Sequence, residues 1–259
     1  MQYKVLLKNY KKDILPPSHR ASITVKRVGS RITQAANTFI KENKPSESIG
    51  APYTYTVIRS DQANAFVLPN NHIFVFTGLF QFVKGEDDLA AVLGHETAHN
   101  LARHAGERIS GGILISMLAR ITLLLDPSGL LHTLFLPAAT LLHELPHSRD
   151  HEIEADYIGL HLAADACYDP KAAKRVFGAM KAVSDNDKAS MPPEFISTHP
   201  SYDTRLTNFD DWLPDAMEMY NADGGYKCQR IRREMKAARQ QAAILAQKRE
   251  EEAASVYER

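Results

Sequence analysis

Apolar residues recur at helical spacing near the start of this 259-residue chain. Residues 2–14 form a short amphipathic pattern that ends at Pro16 and Pro17, and residues 21–44 carry a longer apolar stripe. This stripe consists of Ile23, Val25, Val28, Ile32, Ala36 and Phe39. Because residues three and four positions apart share one face of a helix, the patterns predict two helices that each turn one face toward a core.

The pattern then changes to three short runs rich in β-branched and aromatic residues, at positions 53–58, 65–68 and 72–77. Polar turns separate them, so they predict a small sheet. In the second turn Asn70 and Asn71 can reverse the chain, because asparagine tolerates positive φ. After Gly85, acidic residues precede apolar residues at helical spacing, which indicates a helix N-terminus. We therefore predict an α+β fold, mostly helical, with the sheet directly before this helix.

Residues 111–125 and 130–142 are the most apolar parts of the chain. As a helix, the first run would be about 22 Å long, which is shorter than the roughly 30 Å hydrocarbon core of a bilayer. Neither run predicts a complete membrane span. Two interpretations stay open: helices packed in the core, or a surface that leans on or dips into a membrane.

Composition is that of a globular protein, with 44% hydrophobic and 24% charged residues and a formal net charge of zero. A nucleic-acid-binding chain normally has a basic surplus, so we expect no nucleic-acid partner. Lysines interrupt the apolar residues after Met1, and no secretory signal is predicted. We expect a mature or trimmed form, in which any membrane anchor lies outside this chain.

The helix predicted after Gly85 contains the pattern HExxH, with His95, Glu96 and His99. On a helix the two histidines lie one turn apart on one face, with the glutamate beside them. Two neutral imidazoles can then share one Zn²⁺, and the carboxylate can take a proton from a metal-bound water. The pattern in this context predicts a zinc hydrolase site.

A second HExxH match, at residues 143–147, has Pro146 directly before its second histidine. Proline clashes with the preceding helical turn and lacks a backbone donor, so we predict a helix-ending loop there and no metal site.

Ser148 can cap a new helix on which Glu152 and Asp156 share one face. Glu152 is the candidate third zinc ligand, and Asp156 would accept the second ring N–H of a ligand histidine. Glu154 is interpreted as a solvated residue.

Several short motifs of this chain resemble those of a known protein family. They are Asn64-Ala65-Phe66, Gly78-Leu79, His95-Glu96-Thr97-Ala98-His99, Ser148-Arg149 with Glu152 and Ala155-Asp156, and Thr198-His199-Pro200 with Arg205. Together they resemble the membrane zinc metallopeptidases that include HtpX and the CAAX prenyl protease. The resemblance runs from about residue 15 to about residue 219 and is closest to the mitochondrial inner-membrane branch, whose activity overlaps that of the m-AAA protease.

The resemblance implies a gluzincin-type domain in which the edge strand of the small sheet lies over the zinc helix. It implies one Zn²⁺ per chain with His95, His99 and Glu152 as ligands and Glu96 as general base. Asp156 is implied to support a ligand histidine, and His199 and Arg205 to stabilise an oxyanion. Asn64 and Ala65 fall where related peptidases hold substrate as an added strand, although an ordinary turn-to-strand junction would have the same sequence.

The resemblance also implies a role in mitochondrial quality control, with cleavage of membrane-associated or misfolded proteins from the intermembrane-space side. Disulfides can form in that compartment, so we predict that Cys167 and Cys228 pair, with two unpaired cysteines as the alternative. The expected domains are a metallopeptidase domain at residues 1–220 and a charged helical extension at residues 221–259. We also consider a homo-oligomer.

Two non-enzymatic alternatives remain from the sequence. A zinc-bound scaffold without turnover would keep the three ligands but would not need Glu96, and a helical interaction module would need no metal. Among enzymes, a prenyl-protein protease is the rival, but it is expected to carry many complete membrane spans, which the sequence does not predict.

Overall fold

The structure is a computed structural model, and it describes residues 2–43, 51–126, 128–186, 202–237 and 240. Helices dominate, and one small sheet lies between the second and third of them, as the sequence predicts. The helices are α1 Gln2–Asn9, α2 Arg20–Asn43, α3 Glu86–Leu101, α4 His104–Leu125, α5 Leu130–Asp165, α6 Lys171–Asn186 and α7 Tyr202–Tyr220. The strands are β1 Thr54–Ile58, β2 Ala65–Leu68 and β3 His72–Phe76. Short 3-10 helices span Thr77–Gln81 and Ala222–Gly225, and residues 226–237 are helical.

The three strands form one mixed sheet in the order β1-β3-β2. β3 is central and fully buried; it runs parallel to β1 and antiparallel to β2. The turn between β2 and β3 contains Asn71 at a φ of 61°, a conformation that asparagine tolerates. Within the described residues, β2 is therefore an edge strand, and it packs against α3.

The α3 helix is the centre of the molecule. It contacts α2, α4, α5, α6 and β2, and every residue from Asp88 to Ala98 is buried. A helix that is enclosed on all sides needs small or apolar residues around its whole circumference. Here alanine, glycine, leucine and valine supply them, so the polar side chains of the HExxH pattern lie inside the protein.

The first helix is shorter than predicted. α1 ends at Asn9, because the chain then leaves the helix and adds to the sheet: Ile14 forms an antiparallel bridge with Ile58, and the Leu15 N–H donates to the Val57 carbonyl. Backbone groups of this segment are satisfied by the edge of β1 rather than by another helical turn.

The predicted helix break at Pro146 and new start at Ser148 are wrong, because α5 is one helix from Leu130 to Asp165. A proline inside a helix removes one backbone hydrogen bond, and packing of the neighbouring turns can offset that loss. α5 packs against α3, α4 and α7. The side chains at positions 137–148, which include the second HExxH match, lie outside the described part of the structure.

α4 is not a packed core helix. Ile113, Leu114 and Met117 are each more than half exposed, and Leu124 is 81% exposed. Among the described helices, α4 is long and apolar enough to cross a membrane by length and composition. The core interpretation of this apolar segment therefore does not hold for α4.

Candidate metal and catalytic site

Two glycines let α5 approach α3 at the HExxH pattern. A Cβ atom on Gly159 would lie 2.7 Å from the backbone nitrogen of His95, and one on Gly94 would lie 2.7 Å from the carbonyl oxygen of Gly159. The helices therefore touch backbone to backbone at this point. Glu152 precedes Gly159 by two helical turns and shares its face, so the crossing brings its carboxylate beside the histidines.

Three side chains converge beside this crossing. The Nε2 atoms of His95 and His99 are 3.0 Å apart. One oxygen of Glu152 lies 3.3 Å from the His95 Nε2 atom, and the other lies 3.2 Å from the His99 Nε2 atom. Ligand atoms of all three residues lie within 4.8 Å of one another, so together they can hold one metal ion.

The partner of His95 is a buried carboxylate. The His95 Nδ1 atom donates to Asp156 at 2.9 Å, since an ionised carboxylate can only accept. Arg205 binds the same carboxylate with two hydrogen bonds of 2.6 and 2.7 Å, lies 3.4 Å from Glu152, and stacks over the ring of Phe177. Arg205 has no exposure to solvent.

These contacts shift the pKa values of the site. Burial alone would lower the pKa of His95, but the carboxylates of Glu152 and Asp156 outweigh it and raise that pKa to about 9. Burial alone would raise the pKa of Asp156, but Arg205 and His95 outweigh it and hold that pKa below its usual range. The two carboxylates therefore favour a positive charge at the His95 ring.

The donor set fits zinc. Because the Nδ1 hydrogen of His95 is donated to Asp156, the Nε2 atom of His95 can present a lone pair toward His99 and Glu152. Two imidazole nitrogens and a carboxylate are the ligands of many catalytic zinc sites, which keep a further position for water. Glu96 follows His95 on the same helix and is 3% exposed.

Asn64 and Ala65 lie where β2 begins. Ala65 pairs with Val75, and the Asn64 carbonyl accepts a hydrogen bond from the Phe76 N–H at 2.9 Å. The side-chain oxygen of Asn64 is buried and has no hydrogen-bond partner among the described residues. This end of the edge strand therefore presents an unused acceptor next to a helix that carries the metal site.

The other predicted site residues divide between described and undescribed positions. Arg205 lies on α7 beside Asp156 and Glu152, whereas His199 lies outside the described residues. Cys167 and Cys228 form a disulfide, as the sequence-based hypothesis had it.

Sequence reasoning missed a cluster beside His99. The Nδ1 atom of His104 lies 2.8 Å from the His99 Nδ1 atom, and its Nε2 atom lies 3.0 Å from a carboxylate oxygen of Glu154. The interpretation of Glu154 as a solvated residue is therefore wrong in part: its side chain is 55% exposed but accepts from His104. The ring of His151 stacks on that of His104, with centroids 4.1 Å apart, and bonds to Glu107 at 2.9 Å.

A residue that follows His99 by five positions is not its neighbour on a continuous helix. The chain ends α3 at Leu101, and Arg103 takes a left-handed conformation with a φ of 60° before α4 begins. This turn brings His104 back to His99. The sequence signals only a histidine just after the HExxH helix. Helical periodicity does not predict the turn that brings this histidine back to His99.

A buried HExxH helix, a glutamate from a later helix and an adjoining edge strand define the class of the HExxH metallopeptidase domains. The chain belongs to peptidase family M48, whose family model matches residues 24–213.

Named relatives agree with this family. The mitochondrial metalloendopeptidase OMA1 of Schizosaccharomyces pombe is 40% identical over 215 residues, which are 83% of this chain and 59% of that protein. OMA1 of Saccharomyces cerevisiae is 33% identical over 84% of this chain and 63% of its own length. The β-barrel assembly-enhancing protease of Yersinia pestis is 27% identical over 71% of this chain and 37% of its own length. The chain thus spans about three-fifths of the two fungal relatives.

Proposed function

We propose that this chain is a zinc-dependent endopeptidase of the gluzincin type. The observation that carries the proposal is the convergence of His95, His99 and Glu152 on one point, with Glu96 on the same helix as the histidines. One bound Zn²⁺ would lower the pKa of a water molecule and polarise a peptide carbonyl. His95, His99 and Glu152 would hold that ion.

The remaining residues take distinct roles in this proposal. Glu96 accepts the proton of the attacking water and returns it to the leaving amine. Asp156 fixes the tautomer of His95 through its Nδ1 hydrogen, and Arg205 holds Asp156 and Glu152 in place. His199 remains the candidate donor to the oxyanion. For Arg205, complete burial and a two-bond contact with Asp156 support positioning rather than contact with substrate.

Substrate would be an extended polypeptide that adds to β2. Because such a strand is read mainly through its backbone, this mode suits an enzyme that cleaves misfolded proteins of varied sequence. Asn64 and Ala65 lie where this edge strand begins, and they remain the proposed substrate-binding residues. The buried Asn64 oxygen has no hydrogen-bond partner among the described residues, so it is an acceptor that the fold itself does not use.

We propose that the chain acts at the mitochondrial inner membrane, facing the intermembrane space, in protein quality control. The OMA1 relatives are mitochondrial by name, and the disulfide suits an oxidising compartment. An apolar hairpin formed by α4 and the start of α5 would contact lipid, alone or beside an anchor outside this chain. Its exposed apolar side chains are Ile113, Leu114, Met117, Leu118, Ile121, Leu123, Leu124, Leu125, Leu130, Leu131 and Leu134.

The catalytic proposal is tested with Glu96→Gln. The amide keeps the size of the side chain but cannot accept the proton, so cleavage of an unfolded protein should fall by about 10²-fold to 10⁴-fold. Zinc content by elemental analysis and thermal unfolding should stay as in the wild type. A Glu96→Gln protein with full activity would exclude the mechanism, and a wild type without zinc or cleavage would exclude the function.

Membrane contact is tested by vesicle flotation with the double variant Leu124→Glu/Leu125→Glu. Charged side chains at these exposed positions should keep the protein from floating with vesicles that carry anionic lipid, because a charge is costly in hydrocarbon. Tyr226→Glu, at another strongly exposed position outside the hairpin, is the control and should float like the wild type. Equal flotation of the hairpin variant would contradict this contact.

A further inference from the structure

The two histidines of the metal site are oriented in different ways. His95 donates directly to Asp156, a buried carboxylate that Arg205 also binds. His99 instead lies against another imidazole: its Nδ1 atom is 2.8 Å from the Nδ1 atom of His104. His104 in turn reaches a carboxylate, since its Nε2 atom is 3.0 Å from Glu154.

Only one placement of hydrogens fits this chain of contacts when His99 binds metal. A metal on the Nε2 atom of His99 leaves the hydrogen on Nδ1, which must be donated to a lone pair on the Nδ1 atom of His104. Neutral His104 then carries its own hydrogen on Nε2, where the Glu154 carboxylate accepts it. Every contact has one donor and one acceptor.

The surroundings hold the His104 ring in this orientation. His104 is 3% exposed, and its ring is stacked on the ring of His151 at an interplanar angle of 14°. His151 is itself fixed by Glu107.

We propose that His104 is a positioning residue for the zinc ligand His99, and that it connects His99 to the carboxylate of Glu154. The inference rests on the proposed function, because it needs His99 as a ligand. It gives the two histidines different support: a buried ion pair behind His95, and an imidazole followed by a half-exposed carboxylate behind His99. A hydrogen bond to the distal ring nitrogen makes a ligand imidazole more basic and fixes its tautomer.

The test compares His104→Leu with His104→Asn. Leucine removes the acceptor for the His99 hydrogen, whereas the asparagine oxygen can replace the Nδ1 lone pair without reaching Glu154. Zinc affinity, measured by competition with a chromophoric chelator, should be weaker by about 10-fold to 100-fold for His104→Leu and less affected for His104→Asn. The visible spectrum of the Co²⁺-substituted protein should change in His104→Leu, because it reports ligand geometry.

Controls separate positioning from folding. His132→Leu removes a histidine from the packing of α4 against α5, where its ring bonds the Ala119 carbonyl, and it should bind zinc like the wild type. Thermal unfolding of the zinc-free proteins measures any purely structural loss. Unchanged zinc affinity and an unchanged Co²⁺ spectrum in His104→Leu would overturn the proposal, and so would equal weakening in His132→Leu.

The carboxylate is tested separately, in case His104→Leu does not fold. Glu154→Gln keeps the volume but removes the charge, and it should weaken zinc binding several-fold. Asp165→Asn removes a carboxylate of the same helix that pairs with Lys227, and it should have no effect. Unchanged affinity in Glu154→Gln would overturn the connection to Glu154. If the wild type itself does not bind zinc, the proposed function fails, whereas a zinc-binding wild type with unaffected variants excludes only this inference.

Discussion

Arg205 places a permanent positive charge inside the protein, beside two carboxylates and an aromatic ring. A buried charge is tolerated only when it is paired and hydrogen-bonded, and here Asp156 binds it with two hydrogen bonds. The same pair fixes the carboxylate that orients His95. At the residue scale, stability and the geometry of the metal site thus depend on the same contacts.

We expect Arg205→Met to lower the free energy of unfolding by about 3–5 kcal/mol, because Asp156 would remain buried without its cation. Denaturant unfolding of the zinc-free protein measures this loss. Arg230→Met is the control: Arg230 is strongly exposed on the described C-terminal helix, and its loss should change stability by less than about 0.5 kcal/mol. Equal effects of the two substitutions would contradict the role given to Arg205.

The same variant has an expected pH dependence. The pKa of Asp156 is lowered in the folded protein, so the stability that its charged form contributes is present above the unfolded value, near 4, and is lost as pH falls through the folded value. In folded Arg205→Met, burial of Asp156 is no longer opposed by the arginine, so the pKa of Asp156 should be higher than in the wild type. The stability difference between the two proteins should therefore be complete where both carry the charged carboxylate, and it should shrink as pH falls from the folded pKa of the variant toward the lowered folded pKa of the wild type.

At the scale of elements, the crossing of α3 and α5 decides whether the three candidate ligands meet. Gly94 and Gly159 remove the side chains that would keep the two backbones apart. The sequence showed each helix and each candidate ligand, but a glycine within a helix does not by itself predict which helix it contacts. This crossing accounts for two glycines that otherwise weaken helices by roughly 0.5–1 kcal/mol each.

We expect Gly159→Ala to destabilise the protein by about 1–3 kcal/mol and to weaken zinc binding, because the added methyl group would force α5 away from His95. Gly112→Ala is the matched control on α4, since nothing lies within 4 Å of its Cβ position. It should leave zinc affinity unchanged and raise stability by up to about 1 kcal/mol. Thermal unfolding and chelator competition measure both quantities, and unaltered zinc affinity in Gly159→Ala would contradict the role of the crossing.

At the scale of the whole molecule, the C-terminal segment is fastened to the helical body. The disulfide joins Cys167, directly after α5, to Cys228 across 61 positions of sequence. Arg232 binds both oxygens of Asp87 on α3 and the hydroxyl of Tyr220 on α7. The described part of this charged segment is thus held by covalent and ionic contacts, not only by its own helical hydrogen bonds.

The double variant Cys167→Ala/Cys228→Ala should lose about 4 kcal/mol of stability, because the disulfide restricts a long loop in the unfolded chain. Denaturant unfolding with and without reductant measures the loss. Reductant should destabilise the wild type by a similar amount and leave the variant unaffected. A wild type that is indifferent to reductant under conditions that reduce the bond would contradict this prediction.

Local patterns in the sequence determined the main elements and the motif at the centre of the site. The helical period of α2 and α3, the three strands and the pairing of His95 with His99 all depend on residues within a few positions of one another, so the sequence predicts them directly. The resemblance to a known family supplied what spacing does not, such as the link between Glu152 and the histidines.

Contacts between distant segments decided the rest. α5 continues through Pro146, and Ile14 joins the sheet, although the local sequence predicts a helix break at the first and a helix at the second. A turn at Arg103 returns His104 to His99, which helical periodicity does not predict. The physical reason is that packing and hydrogen bonds across the fold outweigh local preferences, which differ by about 1 kcal/mol per residue for most residue types. Sequence alone therefore gave the reactive motif, whereas the tertiary structure decided which buried charges and rings surround it.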